Sequence, residues 1–251
     1  MRAFGLKVRC VNKDRLDLDV MSRHTPIMAS VEPRGAYIAE RASGLSGVPK
    51  STVHYWARKE ILVPSISAER VKLWSYADLM GLRTIYWLRQ TKKAIDGRNV
   101  PRTTMPAVRR ALGALRELDL SLWTEESGPA VRVDRAGHIY LAGSNTIERA
   151  DGARPIDADW LDLIEPFTTH EETVGPNLQS PRPNLRIVPG KLAGSPHIVS
   201  TRIETVAVAA LANRGFGRDR IHTLYPIVRA VAISEAIDLE EQLRRNLRTT
   251  A

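Results

Sequence analysis

The residues of this chain with the most chemical capacity form a row of donors. Lys50, Ser51, Thr52, His54, Tyr55, Arg58 and Lys59 fall within one short stretch, interrupted by the apolar Val53 and Trp56. At helical spacing Val53 and Trp56 turn inward together, which leaves the cations, the hydroxyls and one aromatic ring outward. A face of that kind donates to phosphate oxygens and base edges, as a helix lying in a DNA groove must. Ser51 reads as the N-cap of this helix. An earlier helix carries Ala39, Ala42 and Leu45 on one side, and Gly47-Val48-Pro49 breaks the pattern between the two. Downstream, Arg70 and Lys72 alternate with Val71 and Leu73, so a strand here projects both cations from one side toward a phosphate backbone.

Other groupings fall short of a reactive site. Cys10 and His24 are two isolated candidates, too few for a metal centre. Asp157, Asp159, Asp162 and Glu165 read as caps and dipole partners of a short helix that turns Trp160, Leu161 and Ile164 inward. His170-Glu171-Glu172 lacks the second histidine of a zinc protease motif, and Gly190-Lys191 has the wrong order for a phosphate-binding loop. Gly215-Phe216-Gly217 lacks the third glycine of a dinucleotide fingerprint. No catalytic residue, metal or cofactor is expected, and the chain is not read as an enzyme.

Charge supports the polyanion reading. Of the 251 residues, 37 are Lys or Arg and 28 are Asp or Glu, a net charge of +9. Positions 1–120 hold 22 cations and 11 acids, positions 121–180 hold 4 and 11, and positions 181–251 hold 11 and 6. The basic first part therefore carries the counterion-releasing surface, and the middle does not. A single cysteine excludes an internal disulfide, no apolar run is long enough to span a membrane, and the charged start does not read as a signal peptide. A cytoplasmic location without membrane contact is expected.

The order of tyrosine, small residues, Gly-Val, Ser-x-Val, an aromatic pair, a basic residue and Ile-Leu-x-Pro from Tyr37 to Pro64 resembles the helix-turn-helix of MerR-type winged-helix regulators. Lys72-Leu73-Trp74-Ser75-Tyr76-Ala77-Asp78-Leu79 is similar to the wing and third-helix start of that family. His54 and Lys72 stand where arginines are usual, Trp74 replaces a tyrosine, and Glu60 occupies a position where a helix-ending glycine is common. The resemblance implies binding of double-stranded operator DNA through Lys50, Ser51, Thr52, His54, Tyr55, Arg58, Arg70 and Lys72. It also implies two copies on paired half-sites, meeting through the helices after the wing and the last helix.

Helices are predicted over 78–93 and 105–118, and a β-hairpin over 130–141 around Asp134-Arg135-Ala136-Gly137. The Pro-rich, polar stretch 168–184 reads as a linker, and 1–34 as a poorly ordered arm. Beyond the linker, helices are predicted over 206–214 with Thr205 as cap, over 218–224, and over 227–247. The last carries Val231, Ile233, Ile237, Leu239, Leu243 and Leu247, an apolar edge read as a partner or oligomer face. Glu240–Arg244 and Glu241–Arg245 form i,i+4 pairs on its exposed side.

Gly194-x-Pro-x-Ile-x-x-Thr-Arg-Ile, an alanine-rich helix, Gly215 and Tyr225-Pro226 resemble a small helical antitoxin domain of the VapB type, with Ser200 where glycine is usual. That resemblance implies a PIN-like ribonuclease toxin as partner, met by Thr201, Arg202, Leu243, Arg244, Arg245, Leu247 and Arg248. The resulting expectation is a mainly α protein. A winged helix-turn-helix with a helical and β-hairpin extension fills 35–167, the linker follows, and a three-helix unit fills 185–251. Its function is that of a DNA-binding antitoxin; the alternative is a free-standing MerR-like transcription regulator that senses a small molecule.

Overall fold

The first helix, α1 (Ala39–Ser46), ends on Gly47, whose φ of +76° returns its N–H to the Ser43 carbonyl at 2.9 Å. A side chain is excluded there, because a Cβ would fall 2.5 Å from the Gly175 nitrogen. The second helix, α2 (Lys50–Arg58), starts directly after Pro49 with no side-chain cap. Ser51 is therefore inside the helix rather than at its cap; the fixed φ of Pro49 sets the start instead. The computed structural model describes residues 34–90, 92–93, 99–100, 102–142, 147–149, 160–169 and 172–248. The expected arm lies outside these, apart from Arg34.

The third helix, α3 (Tyr76–Arg89), opens on a capping box in which Ser75 accepts from Asp78 N–H and Asp78 accepts from Ser75 N–H. Every residue from Tyr76 to Leu88 is buried, so the other elements are laid around this helix. Arg83, at its centre, is fully buried and donates to six carbonyl oxygens: Leu45, Ser46, Leu163, Ile164, Glu165 and Pro176. Burial pushes the guanidinium down to about 9. The carbonyls of Leu45 and Ser46 are the open C-terminal end of α1, where a cation meets the negative pole of the helix.

Two short strands, β1 (Lys92–Lys93) and β2 (Asn99–Val100), pair antiparallel before α4 (Met105–Arg116). The helix buries Ala107, Val108, Ala111, Leu112 and Leu115 against α3. The expected hairpin is present as β3 (Ala130–Asp134) and β4 (Ile139–Ala142), flanked by β5 (Ile147–Arg149) and β6 (Trp160–Asp162) in the antiparallel order β5-β4-β3-β6. Trp160, Leu161 and Asp162 were expected in a helix. They form a strand because β3 offers an open edge and Arg132 completes the pairing, 3.3 Å from Asp162 and over the Trp160 ring at 5.0 Å. Asp157 and Asp159 lie outside the described residues.

The stretch 168–184 was expected as a linker, but its described residues are packed into the body. β7 (Phe167–Thr168) pairs with β8 (Val174–Gly175), Thr169, Thr173 and Leu178 are buried, and Thr173 Oγ1 donates to the Gly47 carbonyl. Polar residues here saturate the backbone of the α1–α2 turn, a role that composition does not distinguish from solvent exposure. The strands β9 (Leu185–Arg186) and β10 (His197–Ile198) then lead into α5 (Thr205–Asn213), α6 (Arg218–Leu224) and α7 (Ala230–Arg248). α5 follows Glu204 with no side-chain cap, so Thr205 is its first residue instead of its cap.

The inner face of α7, with Ala232, Ile233, Ala236, Leu239 and Leu243, is spent on α5 and α1. A Cβ at Gly44 of α1 would lie 3.3 Å from that of Leu243, so the two helices meet closely. Glu240 does not pair with Arg244; it is 7% exposed and takes Arg41 of α1 in a two-pronged ion pair, with Thr205 donating as well. Among the described residues, seven helices and ten short strands are thus mixed in one compact unit. No described helix is long and apolar enough to cross a membrane.

Candidate nucleic-acid interface

α2 stands on α1 through Val53 (1% exposed) and Trp56 (9%), with the turn held by Ser43 Oγ on the Val48 carbonyl at 2.7 Å. The opposite face is open. Ser51, Tyr55, Arg58 and Lys59 are exposed, Tyr55 at 48%. Lys50 is held by Glu40 of α1 at 2.5 Å, and this hydrogen bond lowers the Glu40 carboxyl below its usual range. Thr52 and His54 are half-buried, and the His54 ring meets Trp74 edge-on at 6.5 Å. Of the eight residues expected at DNA, Ser51, Tyr55 and Arg58 stand free on one helix face; Lys50, Thr52 and His54 lie at its margins.

The segment after α2 is held by single bridges, Ser67 to Leu73 and Tyr37 to Trp74, rather than by two strands. Asp78 anchors its base by accepting from the Ser65 N–H and Oγ at 2.8 and 2.7 Å. Arg70 is exposed at the tip, while Lys72 folds back to the Ala68 carbonyl at 3.1 Å. Val71, between the two cations, is itself 61% exposed. The alternation fails because no extended ladder forms in this loop, so Arg70 and Lys72 are not a matched pair.

Glu60 adopts φ +54°, the left-handed conformation that its glycine-like position demands. Beyond it lies a groove that the sequence did not reveal. Lys59, Ile61 and Val63 form one wall, and Arg109, Leu112 and Arg116 of α4 form the other. Arg109 and Arg116 lie off the apolar face of α4, and only the folding of the chain brings them beside Lys59 of the donor row.

The residues expected at a protein partner are scattered. Thr201 Oγ1 donates to the Ile198 carbonyl at 2.8 Å and accepts from Ile203 N–H at 3.1 Å, closing a local turn. Arg202 is exposed. Ser200 takes φ +59° and gives its N–H to Glu125. Leu243 is 4% exposed and belongs to the core, and Leu247 is half-buried. Arg244, Arg245 and Arg248 remain together with Glu241 along a shallow groove at the end of α7.

Two carboxylate–imidazole pairs brace the fold. Asp134 accepts from His138 Nδ1 and Tyr140 OH, both at 2.9 Å, across the hairpin turn. Glu125 accepts from His197 Nε2 at 2.8 Å, from Lys191 and from Ser200 N–H. Burial pushes the Glu125 carboxyl up, but these donors outweigh it and hold it at about 2. Among the described residues no cluster of three or more His, Cys, Asp or Glu could hold a metal ion. No family model, curated protein or solved structure matches this chain.

Proposed function

We propose that this chain is a DNA-binding antitoxin whose α1–α2 unit is a winged helix-turn-helix. In this reading α2 lies in the major groove, with Ser51 and Tyr55 toward base edges and Arg58 toward phosphate. The loop tipped by Arg70 serves as the wing. The observation that carries the reading is the two-sided character of α2, sealed on Val53 and Trp56 and open through Ser51, Tyr55 and Arg58.

The test is a gel shift of the full chain on the DNA upstream of its own reading frame, over a range of salt. The wild-type chain is expected to bind in a salt-sensitive way, and the triple variant Arg58→Ala/Arg70→Ala/Lys72→Ala to lose that binding. Equal binding by the triple variant defeats the winged-helix reading.

The antitoxin half of the proposal has a ribonuclease of the PIN-like class as partner. It is supported by the cation cluster Arg244, Arg245 and Arg248, since guanidinium groups fork onto the carboxylates of a metal-dependent nuclease. Co-expression with the product of the adjacent reading frame tests it, scored by growth and by co-purification. Two copies on a pair of half-sites remain part of the reading, although the apolar face of α7 assigned to that contact is occupied within the chain.

A further inference from the structure

With the inner face of α7 closed, the apolar area for a protein partner has to come from elsewhere. Phe216, Leu224, Ile227 and Val231 are 39%, 46%, 77% and 51% exposed. The helices gather them at one corner. Thr205, at the start of α5, bonds Glu240 of α7, and the far end of α5 leads through a short loop into α6, which packs on both. Phe216 follows that end, with its N–H on the Leu211 carbonyl at 3.2 Å. α6 is tied to the same place by His222 Nδ1, which donates to the Val228 carbonyl at 2.8 Å. Phe216 stands between Gly215 and Gly217, and a Cβ at either would meet nothing within 4 Å. The backbone on either side of Phe216 thus borders open space.

Arg214, Arg218 and Arg220 flank Phe216 along the chain, all exposed, with Asp219 as the acid among them. We infer that this corner, Phe216, Leu224, Ile227 and Val231 within their arginine rim, is the docking surface for a folded protein with an apolar centre and an acidic rim. The inference rests on the antitoxin reading and names the surface that gives the ribonuclease its apolar contact, apart from the arginines at the far end of α7. A second copy is a poor occupant, because a two-fold contact sets one arginine rim against another. Nucleic acid would satisfy the arginines but leave four large apolar side chains without a matching surface. An acidic protein with an apolar centre satisfies both, with exposed aromatic and aliphatic anchors surrounded by charges that fix register.

The experiment titrates the purified full chain with the inactivated product of the adjacent reading frame. Variants are Phe216→Ser, Ile227→Ser and the reversal Arg218→Glu/Arg220→Glu, all at exposed positions. The expected result is binding by the wild-type chain, about tenfold or greater weakening by each variant, and unchanged DNA binding by all. Wild-type binding with full retention by the variants overturns the docking surface and leaves the antitoxin reading standing. Absence of wild-type binding overturns both, while DNA binding is scored separately. Sedimentation gives a further outcome: a wild-type oligomer that Ile227→Ser dissolves assigns the corner to a second copy and overturns the inference. Loss of DNA binding in the arginine reversal alone assigns it to nucleic acid and overturns it equally.

Discussion

Arg41 of α1 and Glu240 of α7 meet in a two-pronged ion pair, Nη1 to Oε2 at 2.5 Å and Nη2 to Oε1 at 2.8 Å, across 199 positions of chain. α1 supports the helix α2 proposed to read DNA, and α7 follows directly on the corner proposed for the protein partner. The pair therefore links the two ends of the proposed activity. Asn246 adds a second link, donating to the Gly44 carbonyl at 3.2 Å and the Val174 carbonyl at 2.9 Å.

Glu240→Ala leaves Arg41 and Thr205 without their acceptor and is expected to destabilise the fold by about 2–4 kcal/mol. Glu240→Gln keeps the shape and one acceptor oxygen and is expected to cost less. Urea unfolding of both variants checks the order, and DNA binding should fall in parallel with the folded fraction.

Glu125 makes stability acid-sensitive. Its folded carboxyl is held at about 2, against a usual 4.5. The unfolded chain therefore takes up the proton first, and the contribution is complete above about pH 4.5 and lost as pH falls toward 2. Glu125→Gln is expected to lower stability at neutral pH and to remove part of that acid slope, measured by denaturant midpoints at each pH.

Glu60 and Ser200 hold left-handed backbone at φ +54° and +59°. Glycine relieves the clash of Cβ with the backbone but adds freedom to the unfolded chain. Glu60→Gly and Ser200→Gly are expected to be neutral or to stabilise by up to about 1 kcal/mol each. Gly47→Ala does the opposite, since it adds a Cβ 2.5 Å from the Gly175 nitrogen at φ +76°. Its expected effect is a loss of about 2 kcal/mol or more together with loss of DNA binding, read by thermal melts and gel shifts.

Within the proposed recognition helix, Tyr55→Ala and Arg58→Ala separate reading from holding. Arg58→Ala should weaken binding to all sequences and reduce the salt slope by about one. Tyr55→Ala should lower discrimination between the specific site and unrelated DNA while leaving that slope unchanged, measured by competition gel shifts.

The sequence by itself determined the helices around α2, the inward side of α2 itself, the β3–β4 hairpin and the breaks at Gly47 and Gly215. Each follows from local rules, because apolar spacing, glycine at positive φ and proline at a helix start act within a few residues of one another. Tertiary structure decided the rest. Trp160–Asp162 became a strand because β3 offered an edge from nearly thirty positions earlier in the chain. The polar stretch around Thr173 was drawn inward because the turn at Gly47 had backbone groups to satisfy. Glu240 left its helical neighbour for Arg41, since the packing of α7 on α1 lets that guanidinium fork onto both carboxylate oxygens. Leu243 was closed off from any partner by Gly44, a residue whose missing side chain matters only once α1 and α7 are side by side. Contacts between residues so far apart leave no periodic trace, so the arginines of α4 beside α2 and the exposed corner around Phe216 emerge only when the chain is folded.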